Sequence, residues 1–430
     1  VPAAAPAGPQ ENGDAGPGEG AIKKIVRNAA SVLAGNALGE VLTTYAIVLA
    51  ASTLGPAGFG RLSAAQAFME PFDILASFGL GAIAIKVAAE RGGADGVLRG
   101  TNLAIRAVTA PLTVCIALGV AWSTGREALI PVLILLCVNT LISPLSSSAS
   151  LPFEFHQTMH RRIALPAIAS VVRFFTAIAA ARYLATPVGF QLSGLSSGLV
   201  MLLLGLLVAR HYYPTRLGFD RQLAVHLLRL AWPAAFLEFI TMMYLRGSYI
   251  VLHGQGDVAL GEYAAADRFV KPVISIGSVF LASALPTIAT LAHEKKFDVL
   301  LINYRRAVVR MLVVMTPILA VTWLLSRMLL ERYAPRYAGA VWPFRALSVS
   351  VIFVFLNNLS SVFIIALGQL RLITVVALIN LGVYFGLAWA LVPSLGATGA
   401  ALATTVMEGI NTVMQLSIVA VLLHRARNRA

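Results

Sequence analysis

Apolar residues run along this chain in long unbroken blocks. They neither alternate as in a half-buried strand nor form the single stripe of a helix lying on a soluble core. Each block approaches the length, about 20 residues, that an α-helix needs to cross a bilayer. Twelve spans are predicted: 26–52, 62–86, 101–122, 129–150, 163–184, 189–209, 230–251, 261–291, 307–328, 341–366, 372–392 and 397–423. The segment 261–291 is long enough to tilt, kink or protrude. The expected fold is therefore an all-α polytopic membrane protein.

The chain between the blocks is short, polar and rich in Gly, Pro and basic residues. The first twenty residues (VPAAAPAGPQENGDAGPGEG) are Pro/Gly/Ala-rich and acidic, which predicts a disordered tail over 1–22. They lack the basic start and apolar core of a signal peptide. The predicted units are a six-helix bundle over 23–210, a cytoplasmic linker over 211–229, a second six-helix bundle over 230–424 and a cytoplasmic tail over 425–430.

Composition agrees with the pattern. Of the 430 residues, 58% are hydrophobic and 12% charged, against roughly a quarter charged in an ordinary globular chain. The net charge of +14 raises the question of nucleic acid. A nucleic-acid module would gather its Lys and Arg on a polar domain, whereas these lie in the short loops. With the N-terminus placed in the cytoplasm, 22 of the 33 basic residues fall on that side and 8 on the other. The asymmetry predicts cytoplasmic termini. Arg327, Arg332, Arg336 and Arg345, around the loop between spans 9 and 10, are a local exception.

Residues 54–72 read LGPAGFGRLSAAQAFMEPF, and 256–273 read GDVALGEYAAADRFVKPV. An offset of 201 positions aligns Gly55 with Gly256, Gly60 with Gly261, Phe68 with Phe269 and Pro71 with Pro272. It also sets Glu70 opposite Lys271. Span 2 thus repeats as span 8 in the same orientation, predicting two bundles related by a pseudo-two-fold axis along the membrane normal. Pro71 and Pro272 remove a backbone donor each, so helix kinks are expected there, at the seam between the bundles.

Ionisable and amide residues within the spans are few and clustered. Span 1 has Asn36 and Glu40; span 2 has Gln66, Glu70 and Asp73; span 5 has Arg173. Span 7 has Glu238 and Arg246, and span 8 opens with Asp267, Arg268 and Lys271. Glu408 and Asn357, Asn358, Asn380 and Asn411 lie in the last three spans. Each charge costs about 2.5–3.5 kcal/mol at a helix centre on insertion scales. Any one of them has a plain reading as a helix–helix ion pair or a snorkelling side chain. As a set, they predict a water-filled central cavity. Arg173, Arg246, Arg268 and Lys271, with Asn36, are the expected anion-binding groups, Arg being suited to phosphate oxygens. Glu40, Glu70, Asp73, Glu238 and Asp267 are the expected gating or ion-coupling groups. Equal depth and opposite sign make Glu70–Lys271 one expected pair across the seam. The alternative is pairing inside each bundle, Lys271 with Asp267 and Glu70 with span 1.

Other motifs carry little. GPAGFGRLS has Arg61 and Leu62 where a phosphate loop needs Lys and a hydroxyl residue. His156 and His160 in EFHQTMHRR lack a third ligand, so no metal site is expected. Gly194 and Gly198 signal close helix packing. Cys115 and Cys137 fall in apolar runs and suggest neither disulfide nor metal. No Ser-His-Asp or Cys-His constellation is present, and no cofactor or enzymatic activity is expected.

The stretches LGPAGFGR, GEYAAADRF with the later Leu285-Pro286, YAGAVWPFRALSVSVIF and GQLRLITVVALINLGVYFGLAWALVPSLGATGAALAT resemble the Wzx-type polysaccharide flippases. These belong to the multidrug/oligosaccharidyl-lipid/polysaccharide exporter superfamily. The resemblance covers about residues 25–424. It implies a transporter, in the bacterial inner membrane, that flips a polyprenyl-pyrophosphate-linked oligosaccharide for surface polysaccharides such as lipopolysaccharide or exopolysaccharide. Expected partners are that lipid-linked oligosaccharide, membrane lipids, and a polysaccharide polymerase or glycosyltransferases, with no nucleic acid. The other reading is a MATE-like drug/cation antiporter, which the acidic residues of the seam leave open.

Overall fold

The computed structural model describes residues 19–93, 95–156, 158, 164–328, 330 and 334–427; of these, the side chains of 19–38, 40, 272, 273, 275–287, 289 and 370 lie outside the description. Among the described residues eleven α-helices follow one another: α1 (Glu19–Ser77), α2 (Leu80–Glu90), α3 (Gly96–Ser123), α4 (Ile130–Phe155), α5 (Ala164–Tyr183), α6 (Pro187–Tyr212), α7 (Arg221–Leu252), α8 (Asp257–His293), α9 (Phe297–Arg327), α10 (Val341–Ala366) and α11 (Leu370–Arg427). No strand occurs among the described residues.

Two of these helices are folded double. In α11 the break is at Gly396 (φ 54°, ψ −128°). Tyr384, before it, and Thr404, after it, both bond the Ser248 hydroxyl, at 2.7 and 3.3 Å. A straight helix would separate those two residues by about 30 Å. In α1 the break is at Gly55 (φ 66°, ψ −179°), a conformation open essentially only to glycine. Tyr45, on its first arm, packs at a tilt against Phe174 of α5, and Gln66, on its second arm, bonds Gln191 of α6. Because α5 and α6 themselves turn back at Ala185, the two arms of α1 lie side by side. Among the described residues nine stretches are long and apolar enough to cross a membrane. Both folded helices supply two crossings each, and α8 supplies another, giving the twelve predicted spans.

The repeat is visible in the backbone. Gly256 (φ 91°, ψ 167°) opens α8 with nearly the angles of Gly55. Beyond these turns the two copies touch. A Cβ on Gly60 would collide with the carbonyl of Asp257, and one on Gly261 with the carbonyl of Pro56. Under the offset of 201, Gly60 corresponds to Gly261 and Pro56 to Asp257. Residue i meets j′ while j meets i′, the signature of a two-fold contact. The pseudo-axis passes through this glycine pair.

α1 keeps helical angles through Pro71, and the second span loses them at Phe78 (φ 50°) and Gly79 (φ 63°). There the chain lies against the backbone of Ala235, 3.1 Å from where a Gly79 Cβ would stand. α7 starts at Arg221, well ahead of residue 230, so much of the expected linker is helical. Its first turns pack Leu223, Leu227 and Ala231 against Leu80, Ala84, Leu98 and Leu151 of the first bundle. On the outer surface, Val108, Leu112 and Ile116 of α3, spaced four apart, are exposed. α9 likewise exposes Val309, Val313, Val321 and Leu324. Such rows suit lipid contact.

Candidate functional site

The charged groups meet where the second arm of α1 faces α7 and α8. Glu70 lies 15 residues below Gly55 and Arg268 12 below Gly256, which sets both roughly 18–22 Å from those turns at 1.5 Å per residue. That is near the middle of a span. Lys271 Nζ bonds Asp267 Oδ2 at 2.7 Å, one turn away, and Arg246 Nη1 stands 3.7 Å from the same oxygen. Arg246 Nε donates to Glu70 Oε2, from the other bundle. The Tyr249 hydroxyl donates to Asp267 Oδ2 at 2.9 Å. Arg268 Nη2 donates to Gln66 Oε1 at 2.6 Å, and Gln66 Nε2 donates to Gln191 Oε1 at 3.0 Å.

The charge-pairing expectation thus needs correction. Lys271 pairs inside its own bundle, with Asp267, as in the alternative reading. Glu70 pairs across the seam, but with Arg246 and not with Lys271; the span 1 side chains Asn36 and Glu40 lie outside the described side chains. Arg246, expected in span 7 as an anion-binding group, is instead ion-paired. It lies near the outer end of α7 (Arg221–Leu252), where α7 and the second arm of α1 run antiparallel and bring residues 246 and 70 level. Charge is largely compensated: Arg246 and Lys271 are held by Glu70 and Asp267. Arg268 differs, because its described partner is a neutral amide and its Nε is buried with no hydrogen-bond partner.

The remaining predicted residues are dispersed. Asp73 accepts the Thr140 hydroxyl of α4 and is exposed. Glu238 is exposed on α7 and forms no hydrogen bond or ion pair with the described residues. Arg173 is half-buried on α5. Asn36, Glu40 and Pro272 fall outside the described side chains, as does the side chain of Pro286, and His160 lies outside the described residues. Among the described residues no group of three His, Cys, Asp or Glu is placed to hold a metal.

On the Gly55 side the seam is shut. Arg61 Nε bonds Asp257 Oδ2 at 2.5 Å beside the glycine pair. Tyr337 donates to the Ala51 carbonyl at 2.8 Å and packs edge-on to Phe59, 6.4 Å between centroids. Arg126 sits over the Phe68 ring at 5.1 Å and reaches the Ile250 carbonyl at 3.5 Å. Two of the exceptional arginines are explained here. Arg336 bonds the Ser52 carbonyl at 3.4 Å, at the end of the first arm. Arg345 stands over Trp323 and Trp342, at 4.2 and 5.1 Å.

A second polar cluster lies wholly within the second bundle. Glu408, 4% exposed, accepts from Asn357 Nδ2 at 2.6 Å and from Asn411 Nδ2 at 3.4 Å. Gln415 Nε2 donates to Asn411 Oδ1 at 3.0 Å. No cation among the described residues pairs with Glu408. Sequence reasoning missed Gln191, Arg126 and Tyr249 as seam residues. An amide in the small-residue run FQLSG was a usable signal for Gln191; nothing local marked the other two.

A family model described as polysaccharide biosynthesis protein matches residues 25–292. The chain belongs to that family. The family suggested by the sequence resemblance is therefore confirmed. No curated protein sequence shows a significant match. Among solved structures, the chain is similar to an inward-facing multidrug resistance MATE family transporter of the MOP superfamily. The identity is 16%, the match covers 89% of this chain and 95% of the other, and the TM-score is 0.73. It is similar to the lipid II flippase MurJ in an inward closed conformation at 14% identity, with 94% and 90% covered and a TM-score of 0.72. An outward-facing MATE structure matches at 15% identity, 94% and 96% covered, with a TM-score of 0.63. At these identities the likeness concerns the fold alone: a two-lobed, multi-pass helical bundle.

Proposed function

We propose that this protein is a flippase that carries a polyprenyl-pyrophosphate-linked oligosaccharide across the bacterial inner membrane for surface polysaccharide synthesis, with both termini cytoplasmic. The observation that carries the reading, together with the family, is Arg268. It is a guanidinium at mid-depth on the seam, held by a neutral amide and with one N–H group unmatched. A pyrophosphate oxygen can replace Gln66 as its partner, and charge-assisted bonds are the stronger kind. Two lobes, 23–210 and 230–424, would rock about the glycine pair. In the form described here the Gly55 side, outer by the basic-residue asymmetry, is closed.

In this reading Glu70, Arg246, Asp267 and Lys271 act mainly as a gate. Their charges cancel while the seam is shut and separate when it opens, so the state with the seam closed is favoured until the headgroup competes for Arg246 and Arg268. Arg173 and Asn36 would complete the anion site, and Glu40, Asp73 and Glu238 would act in ion coupling or gating. The lipid tail stays in the bilayer beside the lobes. Polymerase or glycosyltransferase partners would supply and use the glycan on either side.

Two exposed carboxylates, Asp73 and Glu238, favour a second reading, a MATE-like antiporter for organic cations. Proteoliposomes separate the two. A labelled polyprenyl-pyrophosphate oligosaccharide should reach the far leaflet faster with protein than without. No acceleration, together with proton-driven uptake of an organic cation, would establish the antiporter instead.

A further inference from the structure

The linker between α6 and α7 builds a second anion site, far from the seam. Residues 213–220 lie along the first turns of α3. Gly96 and Gly100 permit this: a Cβ on either would collide with the carbonyl of Arg216 or of Gly218. The Gly218 amide donates to the Gly96 carbonyl at 3.0 Å, and the Asp220 amide to Thr101 Oγ1, also at 3.0 Å. Tyr213 is fixed from the other side. Its ring stacks on His156 at 5.1 Å and meets Phe153 edge-on at 5.0 Å, and its hydroxyl bonds Thr158 at 2.8 Å.

Beneath this fixed linker lies Arg99, 8% exposed. Its Nη1 donates to the Tyr213 carbonyl at 3.2 Å and to Thr215 Oγ1 at 2.6 Å, both neutral, while Nε is buried with no partner. Arg99 lines a cavity of about 640 Å³ together with Arg210 and Arg216, both exposed. No carboxylate among the described residues bonds any of the three. Asp220 is already engaged in capping α7 through the Gln222 and Leu223 amides. The same cavity has an apolar rim, Leu206 and Leu217. Leu206 continues the row of exposed leucines, Leu203 and Leu207, on the lipid-facing side of α6.

We infer that this cavity binds the phosphate of an anionic phospholipid from the leaflet on the side of the termini. Three cations without acids need an anion, and a buried guanidinium with an unmatched N–H needs an acceptor. An apolar wall continuous with the lipid-facing surface of α6 suits an amphiphile better than a soluble anion. The linker joins the two lobes, so a lipid seated here braces the chain between them. The site does not depend on which substrate the protein carries.

The test uses the purified full-length protein, delipidated in detergent, with phosphatidylglycerol or phosphatidylcholine added and retention read by native mass spectrometry. Phosphatidylglycerol should be retained in preference to phosphatidylcholine. An interfacial Arg contributes about fivefold to acidic-lipid binding, so Arg210→Gln/Arg216→Gln should weaken retention by roughly twenty- to thirtyfold. Both residues are exposed, so the variant should keep its fold. Arg305→Gln/Arg306→Gln removes the same charge from exposed positions elsewhere on that side and should change retention little. Equal losses in the two double variants would reduce the effect to surface charge and overturn the site. Displacement of the lipid by millimolar inorganic phosphate would overturn its assignment to a lipid.

Discussion

Arg246 of α7 donates to the carboxylate of Glu70 across 176 residues of chain and across the seam between the two bundles. The second partner of Arg246 is Asp267, which also holds Lys271. One ion pair therefore ties the first bundle to an arginine whose other described ion-pair partner is within the second. Removing it should loosen the seam without unfolding either bundle. Glu70→Gln and Arg246→Gln should each destabilise by about 1.5–3 kcal/mol, the range for hydrogen bonds to charged groups. The double variant should cost less than the two singles added together. Thermal unfolding in detergent measures the cycle. Strictly additive losses would mean that the pair contributes nothing. Glu70→Gln/Lys271→Gln, in contrast, should be additive, because Lys271 answers to Asp267.

The glycine pair offers a test on the same side of the seam. Gly60→Ala and Gly261→Ala each place a methyl group against a carbonyl of the opposite copy. Overpacking of this kind typically costs 1–3 kcal/mol. Here the strain can be relieved by parting the lobes. Each variant should therefore lower the yield of cross-linking by a short bifunctional thiol reagent between cysteines introduced at Phe59 and Tyr337, whose rings meet edge-on in the closed form. An unchanged cross-linking yield in both would remove the glycine contact from the closing mechanism.

The twelve spans and the parallel repeat were legible because both rest on local signals. Apolar block length reports crossing number, and Gly55 and Gly256 need backbone angles that other residues avoid. Among the charge partners, Lys271 with Asp267 was legible from their spacing of one turn; the partner of Glu70 was not. Equal depth suggested Glu70 with Lys271, but a helix carries charges on several faces. Which face meets the seam depends on rotation about the helix axis, which the sequence pattern left open. Lys271 is turned back toward Asp267, one helical turn away, and Arg246 fills the place opposite Glu70. Arg106 shows the same limit. It lies within the third predicted span yet is 5% exposed inside α3, with its guanidinium against Gly81 of α2.

Glu408 allows a prediction independent of transport. It is a buried carboxyl group served by two amide donors, beside an Asn357 Oδ1 that is buried with no hydrogen-bond partner. Glu408→Gln keeps an acceptor for Asn357 Nδ2 and adds a donor for that Oδ1. It should leave the melting temperature unchanged or raise it. Glu408→Leu strands Asn357 and Asn411 and should cost about 1–3 kcal/mol, the penalty for an unsatisfied buried polar group. A marked fall in stability with Gln would show that the negative charge itself holds the second bundle together.

Arg268 is the residue on which the proposed transport step turns. Its bond to Gln66 at 2.6 Å crosses the seam but cancels no charge, so its loss should be mild for the fold and severe for an anionic headgroup. Arg268→Gln should keep expression and melting temperature near those of the unchanged protein. Flipping of the pyrophosphate-linked sugar should fall about ten- to a hundredfold, the equivalent of a lost charge-assisted bond of about 1.5–3 kcal/mol. Arg268→Lys should recover part of the rate, because it restores the point charge without the forked donor geometry. Gln66→Leu supplies the control. It removes the resting partner and leaves the guanidinium free, so binding of the headgroup should not weaken while the seam should open more readily. If Arg268→Gln flips at the normal rate in proteoliposomes, the guanidinium plays no part in headgroup transfer and its bond to Gln66 is a seam contact alone.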